Sequence, residues 1–311
     1  MRGILEYDPD EFVFTALAGT PLAEISKTLS EHGQFLPFDP PLTDSGATLG
    51  GTVAAGLNGP GQFRYGGLRD FIIGVKFCDG TGQKLMGGGK VVKNAAGFDF
   101  PKLFVGSLGR LGILYELTFK VFPAPQAYMT MSFETGNVQS ALETACLLAG
   151  SNFEPFAIDI IPPGCLKIRI GGNHDANEIT AGLIEKHVDS PASRSTEEME
   201  STMWSNLRDF AWAKEDLLLK VALIPSLVCE LEDTLAGIDL ARHYSAAGNV
   251  AYVSTGRENL QAIDDKLKAM KLSGIVLRGD VVNPRLGWQA ARQAETTIQS
   301  AMDREGRFLP L

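Results

Sequence analysis

The sharpest periodicity in the chain runs from Tyr115 to Val121. Tyr115, Leu117, Phe119 and Val121 alternate with Glu116, Thr118 and Lys120, which predicts a half-buried strand. A continuous apolar run, Phe71 to Phe77, predicts a buried strand closed by a turn at Asp79-Gly80 to Gly82. Glu11 to Leu17 predicts another strand, with Phe12, Val13 and Phe14 β-prone. Between these, Leu22, Ile25 and Leu29 fall on one helical face, with Thr20 as the expected N-cap, Pro21 at the first helical position and Gly33 as the stop. Phe35 to Phe38 reads as extended, and Asp39-Pro40-Pro41 forces a stiff turn. Gly50 to Leu57 and Pro101 to Val105 predict short helices.

Pro123 and Pro125 mark a boundary, and the texture changes after it. Strands are predicted at Tyr128–Phe133, Phe156–Ile161, Leu166–Ile170, Leu217–Leu223, Val250–Ser254 and Ile275–Leu277. Helices are predicted at Val138–Leu148, Glu178–His187, Glu197–Lys214, Leu227–Leu240, Glu258–Met270 and Arg285–Met302. The acidic start of the helix at Glu197 suits the helix dipole. Alternating strands and helices of this kind predict an α+β module with an antiparallel sheet.

Composition narrows the function classes. The chain has 311 residues, 44% hydrophobic and 21% charged, the usage of a globular protein of about two domains. Net charge is −9, with no basic stripe, which argues against nucleic acid as a partner. The acidity is uneven: residues 1–123 carry −1 and residues 124–311 carry −8. No apolar run reaches the ~18–20 residues of a membrane span, and residues 1–20 hold no signal-like segment. Cys78, Cys146, Cys165 and Cys229 are scattered, so no zinc or iron–sulfur motif is present, and they fit a reducing cytoplasm. His32, His174, His187 and His243 are too dispersed for a zinc-hydrolase motif, and no histidine is assigned a role.

Glycine carries the strongest local signal. Of 34 glycines, 18 lie between Gly46 and Gly112. Several sit inside apolar stretches, where turns alone do not explain them; a backbone that approaches a ligand closely does. Known phosphate loops fail the test. After Gly59-Pro60-Gly61 the third fingerprint position is Arg64, and Gly89-Lys90 is followed by Val91 rather than Ser or Thr.

Four motifs in order then carry a resemblance: Gly46-Ala-Thr-Leu-Gly-Gly51; Arg64-Tyr-Gly66 with Arg69-Asp70; Lys93-Asn-Ala-Ala-Gly-Phe-Asp99; and Gly106-Ser-Leu-Gly-Arg-Leu-Gly-Ile113. They resemble the FAD domain of the vanillyl-alcohol oxidase / PCMH flavoprotein family, and within it the E-subunit type of bacterial glycolate oxidases. Asp303-Arg-Glu-Gly-Arg-Phe308 resembles the family's C-terminal Asp-Pro-x-Gly-x-Phe element, with Arg304 replacing its Pro. The resemblance implies a PCMH-type FAD-binding domain of two α/β subdomains at 1–124, an α+β cap of ferredoxin-like kind at 125–284, and a helix at 285–311 returning to the FAD domain. It also implies an upstream βαβ segment with a Gly/Ser loop, which this sequence starts too late to include; the first subdomain is expected to be incomplete.

The site residues implied are Gly46, Ala47, Thr48, Gly50, Gly51, Ala54, Gly56, Arg64, Tyr65, Gly66, Lys93, Asn94, Gly106, Gly109, Gly112 and Ile113. Gly46, Gly50 and Gly51 would present N–H groups to a pyrophosphate, with Thr48 adding a hydroxyl. Arg64 either offsets phosphate charge or sits in a solvated loop; Tyr65 either packs on a cofactor ring or on the core; Arg69 and Asp70 form either a surface ion pair or part of the site. Gly106, Gly109 and Gly112 either admit the flavin or are turn glycines, and Ile113 would offer backbone groups while its side chain stays in the core. Lys93 and Asn94 either meet the ring's polar edge or are a solvated Lys and a turn Asn. No histidine lies in the glycine-rich region, so the FAD is expected to be non-covalent. The family's catalytic members carry His-x-Gly-Asp-Gly-Asn-x-x-His, where this chain has Leu277-Arg-Gly-Asp-Val-Val-Asn283, so no catalytic or metal residue is assigned. The implied function is an FAD-binding subunit of a cytoplasmic glycolate oxidase complex. A homologous FAD- and substrate-binding subunit and an iron–sulfur subunit would be its partners, and any membrane association would pass through them. The alternative is a non-catalytic assembly subunit with a vestigial flavin pocket.

Overall fold

The computed structural model describes residues 1–89, 98–195 and 197–309. It is a mixed α and β chain with antiparallel sheets, in two compact units: Met1–Ala124 together with Ala291–Leu311, and Pro125–Ala290.

The first unit runs β1 (Ile4–Asp8), β2 (Val13–Leu17), α1 (Leu22–Ser30), β3 (Gln34–Phe35), α2 (Leu49–Ala55), α3 (Gln62–Tyr65), α4 (Leu68–Phe71), β4 (Ile72–Cys78), β5 (Lys84–Gly88), α5 (Phe100–Phe104), β6 (Ile113–Lys120) and β7 (Phe122–Pro123). Its sheet has the order β1-β2-β6-β4-β5. The alternating segment β6 is the central strand, and Leu117 and Phe119 are buried. Thr118, on its polar face, is buried too, because its hydroxyl meets that of Thr15 on β2 at 2.9 Å. The core is aromatic: Phe14 stacks on Phe119 at 5.9 Å and Phe77 tilts against Phe104 at 4.5 Å. Each such ring removed from water contributes roughly 1.5–3 kcal/mol. α1 buries Leu22, Ile25 and Leu29 as the spacing predicts. Its N-cap is Pro21, not Thr20. The Thr20 hydroxyl instead donates to the Leu17 carbonyl at 2.7 Å and accepts the Gly3 N–H at 2.9 Å, which ties the start of β1 to the end of β2.

The second unit runs β8 (Ala127–Glu134), α6 (Val138–Ala149), β9 (Ala157–Ile161), β10 (Cys165–Gly172), α7 (His174–Val188), β11 (Ser193–Arg194), α8 (Glu197–Arg208), β12 (Leu217–Ala222), α9 (Val228–Leu235), β13 (Leu240–Ser245), β14 (Val250–Thr255), α10 (Leu260–Ala269), β15 (Ser273–Arg278) and β16 (Arg285–Gly287). Among the described residues its strands are ordered β11-β8-β10-β9-β13-β14-β12-β15-β16. Three expectations change. α8 stops at Arg208, with Phe210 at φ 58°, rather than continuing to Lys214. The helix expected over Leu227–Leu240 ends at Leu235, and β13 begins at Leu240. Arg285–Gly287 pairs with β15, so the C-terminal helix is Arg292–Met302.

One face of this sheet is polar yet buried. Thr130, Arg169 and Asp159 share it by register. Arg169 donates twice to Glu200 of α8, at 2.6 and 3.1 Å, and its Cζ lies 3.9 Å from the Tyr128 ring centre. Trp204 of α8 donates its indole N–H to Thr130 at 2.7 Å. An Arg fork with both prongs bonded and an aromatic beneath it is the geometry that tolerates burial.

Candidate functional site

The glycine-rich segment of the first unit builds its features on both ends of α2. At the start, Thr48 accepts the Gly51 N–H on its hydroxyl at 3.3 Å, the expected N-cap bond. The neighbouring amides are engaged within the protein: Leu49 N–H donates to Thr20 O at 2.9 Å, Gly50 N–H to Ala18 O at 2.7 Å and Thr52 N–H to Thr48 O at 2.9 Å. They are drawn in by a bridge between Thr48 and Pro21. A Cβ on Gly50 would stand 2.7 Å from the Ala18 Cβ, so this glycine serves a close approach of protein to protein. The N–H nest expected at Gly50 and Gly51 is therefore spent on the chain's own acceptors. Gly46 differs: it is exposed, at φ 86°, with open space where a Cβ would be.

At the other end of α2 the structure joins two motifs some fifty residues apart. Gly56 caps the helix in the left-handed region, at φ 63°. The loop after α5 then docks on the last turn: Gly106 N–H donates to Val53 O at 2.9 Å and Leu108 N–H to Ala54 O at 2.8 Å. These bonds satisfy carbonyls that a helix end leaves without partners. Gly106 and Gly109 keep positive φ, 80° and 73°, with nothing within 4 Å of an added Cβ. Ser107 between them is 7% exposed, and its hydroxyl is buried without a partner among the described residues. Beside this junction lies a cavity of ≈ 520 Å³, lined by Gly56, Asn58, Gly67, Arg69, Lys102 and Gly106 among others.

The remaining candidates are dispersed around this frame. Tyr65 packs edge-on against Phe35 and Phe122, each at 5.7 Å, joining the core cluster. Arg64 is exposed, its Cζ 5.6 Å from the Tyr65 ring. Gly66 sits at φ 90° over the Asp70 carboxylate, which accepts the Gly67 N–H at 2.9 Å. Ala47 donates its N–H to Leu42 O. Gly112 allows β6 to pass the Cys78 carbonyl, 2.8 Å from an added Cβ. Ile113 is corrected: its side chain is 57% exposed rather than in the core, because it opens β6 beyond the buried stretch Leu117–Phe119. Lys93 and Asn94 lie outside the described residues.

Sequence reasoning missed Asn58, Ser107 and Lys102. Asn58 accepts the Leu68 N–H at 2.7 Å and holds the loop that lines the cavity. Its placement between glycines was the available signal. Among the described residues no cluster of side chains could hold a metal ion, and no helix is long and apolar enough to cross a membrane.

Comparison with known proteins gives this geometry a class. Residues 1–86 match the family described as FAD binding domain. The first unit thus carries an FAD-binding domain of the PCMH type, and the chain is a relative of FAD-dependent oxidoreductases. In particular, it is 37% identical to glycolate oxidase subunit GlcE of Escherichia coli (strain K12) over 210 residues, 67% of this chain and 56% of that one. It is 30% identical to glycolate oxidase subunit GlcD of Bacillus subtilis (strain 168) over 161 residues, 52% of this chain and 34% of that one. The chain spans about half or less of the length of these relatives. A solved alkyldihydroxyacetonephosphate synthase matches the fold with a TM-score of 0.71 at 17% identity, over 100% of this chain and 66% of the other.

Proposed function

We propose that this chain is the flavin-binding subunit of a glycolate (2-hydroxy acid) oxidase complex. The observation that carries the reading is the docking of the Gly106–Gly109 loop on the last turn of α2, beside a glycine-lined cavity. The residues present fit FAD in two respects. Gly46, Gly106 and Gly109 leave open the space a Cβ would fill, and the buried Ser107 hydroxyl lacks a partner among the described residues. When bound, FAD supplies two-electron acceptor chemistry for oxidation of glycolate to glyoxylate.

The chain's own residues then hold and orient the group. Backbone at Gly46, Gly106 and Gly109 permits contact closer than any side chain would allow. Arg69 and Lys102 place cations at the cavity, which locally offset an overall negative protein. Lys102 is held there by Asp99 at 3.2 Å. With no histidine between Gly46 and Gly112, attachment is non-covalent. The substrate is held by a homologous partner subunit, because Leu277–Asn283 lacks the histidines that relatives of the catalytic kind use, and an iron–sulfur subunit takes the electrons onward.

A second reading, a non-catalytic assembly subunit, is favoured by the engaged amides at the start of α2. One titration separates the two. Adding FAD to the purified chain, followed by quenching of flavin fluorescence, gives saturable binding under the first reading. Binding weakens at least about tenfold in Gly106→Val, where a branched side chain meets a positive φ. Gly33→Asn, at a helix stop away from the cavity, leaves it unchanged. Absence of saturable quenching, with folding intact by circular dichroism, selects the second reading.

A further inference from the structure

The second unit contains a buried charge arrangement that the flavin reading does not use. Asp159 on β9 is fully buried and accepts three hydrogen bonds: from the Ser245 hydroxyl at 2.9 Å, from Ala246 N–H at 3.2 Å, and from His243 Nε2 at 2.8 Å. A carboxylate only accepts, so the His243 proton toward it sits on Nε2. In the neutral ring Nδ1 is then an acceptor. His243 is 3% exposed, and its Nδ1 has no partner among the described residues.

A second orphan lies beside it. The Trp212 ring stands edge-on to His243 with centroids 5.8 Å apart, and its buried indole N–H also has no partner among the described residues. His243 and Trp212 both line a cavity of ≈ 490 Å³ whose other walls include Pro162, Pro163, Leu207 and Leu240. The wall of the cavity thus includes two residues that carry an orphaned donor and an orphaned acceptor, beside an apolar surface. Buried polar atoms are rarely left in this state without a ligand or water.

The charges around it select a neutral ligand. Arg242, also on the wall, is already bonded through its guanidinium to Glu232, and the Asp159 carboxylate stands directly behind His243. A hydroxyl is the simplest group that accepts from an indole N–H and donates to an imidazole nitrogen. We propose that this cavity binds a neutral hydroxyl compound with an apolar body, its oxygen accepting from Trp212 Nε1–H and donating to His243 Nδ1. Water alone would satisfy the two atoms but not the apolar walls.

Cyclohexanol is the probe, with cyclohexanone as its acceptor-only counterpart. The full chain, labelled with 15N at tryptophan, shows the indole signals of Trp204, Trp212 and Trp288, and Trp212→Phe assigns the second. Cyclohexanol is expected to shift that signal saturably. By calorimetry, cyclohexanone binds at least about tenfold more weakly, and Trp212→Phe, which keeps an aromatic side chain and loses the N–H, weakens cyclohexanol several-fold. An unmoved Trp212 signal overturns the proposal, as do equal affinities for alcohol and ketone or unchanged binding in Trp212→Phe. None of these readouts involves flavin, so the outcome is independent of the function proposed above.

Discussion

The two units place their chemistry in opposite parts of the polypeptide. In the first, the main core cluster is aromatic and aliphatic, although Arg110 and Asp303 are buried as well, and the distinctive surface is backbone: exposed Gly46, Gly106 and Gly109, all at positive φ. In the second, Asp159 is buried with His243 and Glu200 pairs with Arg169, two polar couples inside the unit, although glycines at positive φ such as Gly136 and Gly237 occur there too. The difference shows two ways to prepare a site. Backbone at a surface accommodates a large ligand by leaving space, whereas paired side chains in an interior hold one ring or one head group in a set direction.

The sharpest break in that comparison comes from the second unit. Glu200→Ala leaves Arg169 buried without its carboxylate, and a loss of about 3–5 kcal/mol is expected in urea unfolding. The double replacement Arg169→Met with Glu200→Leu recovers most of it, because two apolar groups need no partner. A loss under about 1 kcal/mol for the single change would mean that this pair behaves like a surface bridge. In the first unit, Gly56→Ala adds a Cβ 3.0 Å from the Gly106 Cα at a left-handed residue, with an expected cost of about 1–3 kcal/mol. Its effect on the Gly106 loop is read by amide exchange at Leu108. Thr48→Ala removes the cap of α2 and costs about 1 kcal/mol by thermal melting.

The smallest effect is a pH dependence. The N–H groups of Phe308, Arg307 and Gly306 hold the Asp303 carboxyl below its ordinary value of 3.8. A lowered folded value means the carboxylate stabilises the first unit above the unfolded value, and that this contribution fades as pH falls through the folded one. Asp303→Asn should flatten the acid limb of the stability curve while leaving its slope near neutrality unchanged, as measured by urea midpoints across acid pH.

The same contrast explains what could be read from the amino-acid pattern. β6 and the face of α1 follow alternation and helical spacing, because one side of each meets a core. The glycine motifs were legible because an unusual backbone demands an unusual residue. β13 was not: Leu240 to Ser245 carries Arg242 and His243, which look solvent-bound until Glu232 and Asp159 arrive from elsewhere in the chain. β1 failed for a related reason, since Glu6 and Asp8 sit on an edge strand with little buried surface to mark it. Spacing revealed that Gly50 was special, but only the Ala18 contact shows why.

One feature of the first unit bears on how the protein is made. Gly80 N–H donates to Met302 O at 3.0 Å, and Ile298 and Met302 pack on the aromatic core, so a helix near residue 300 covers a core built from residues before 125. During synthesis the ribosome must release all of Pro125–Ala290 before that closing piece emerges. The nascent β-sheet of the first unit therefore waits with part of its hydrophobic surface uncovered while the second unit folds as an insertion, which makes this interval the one in which chaperones have most to protect.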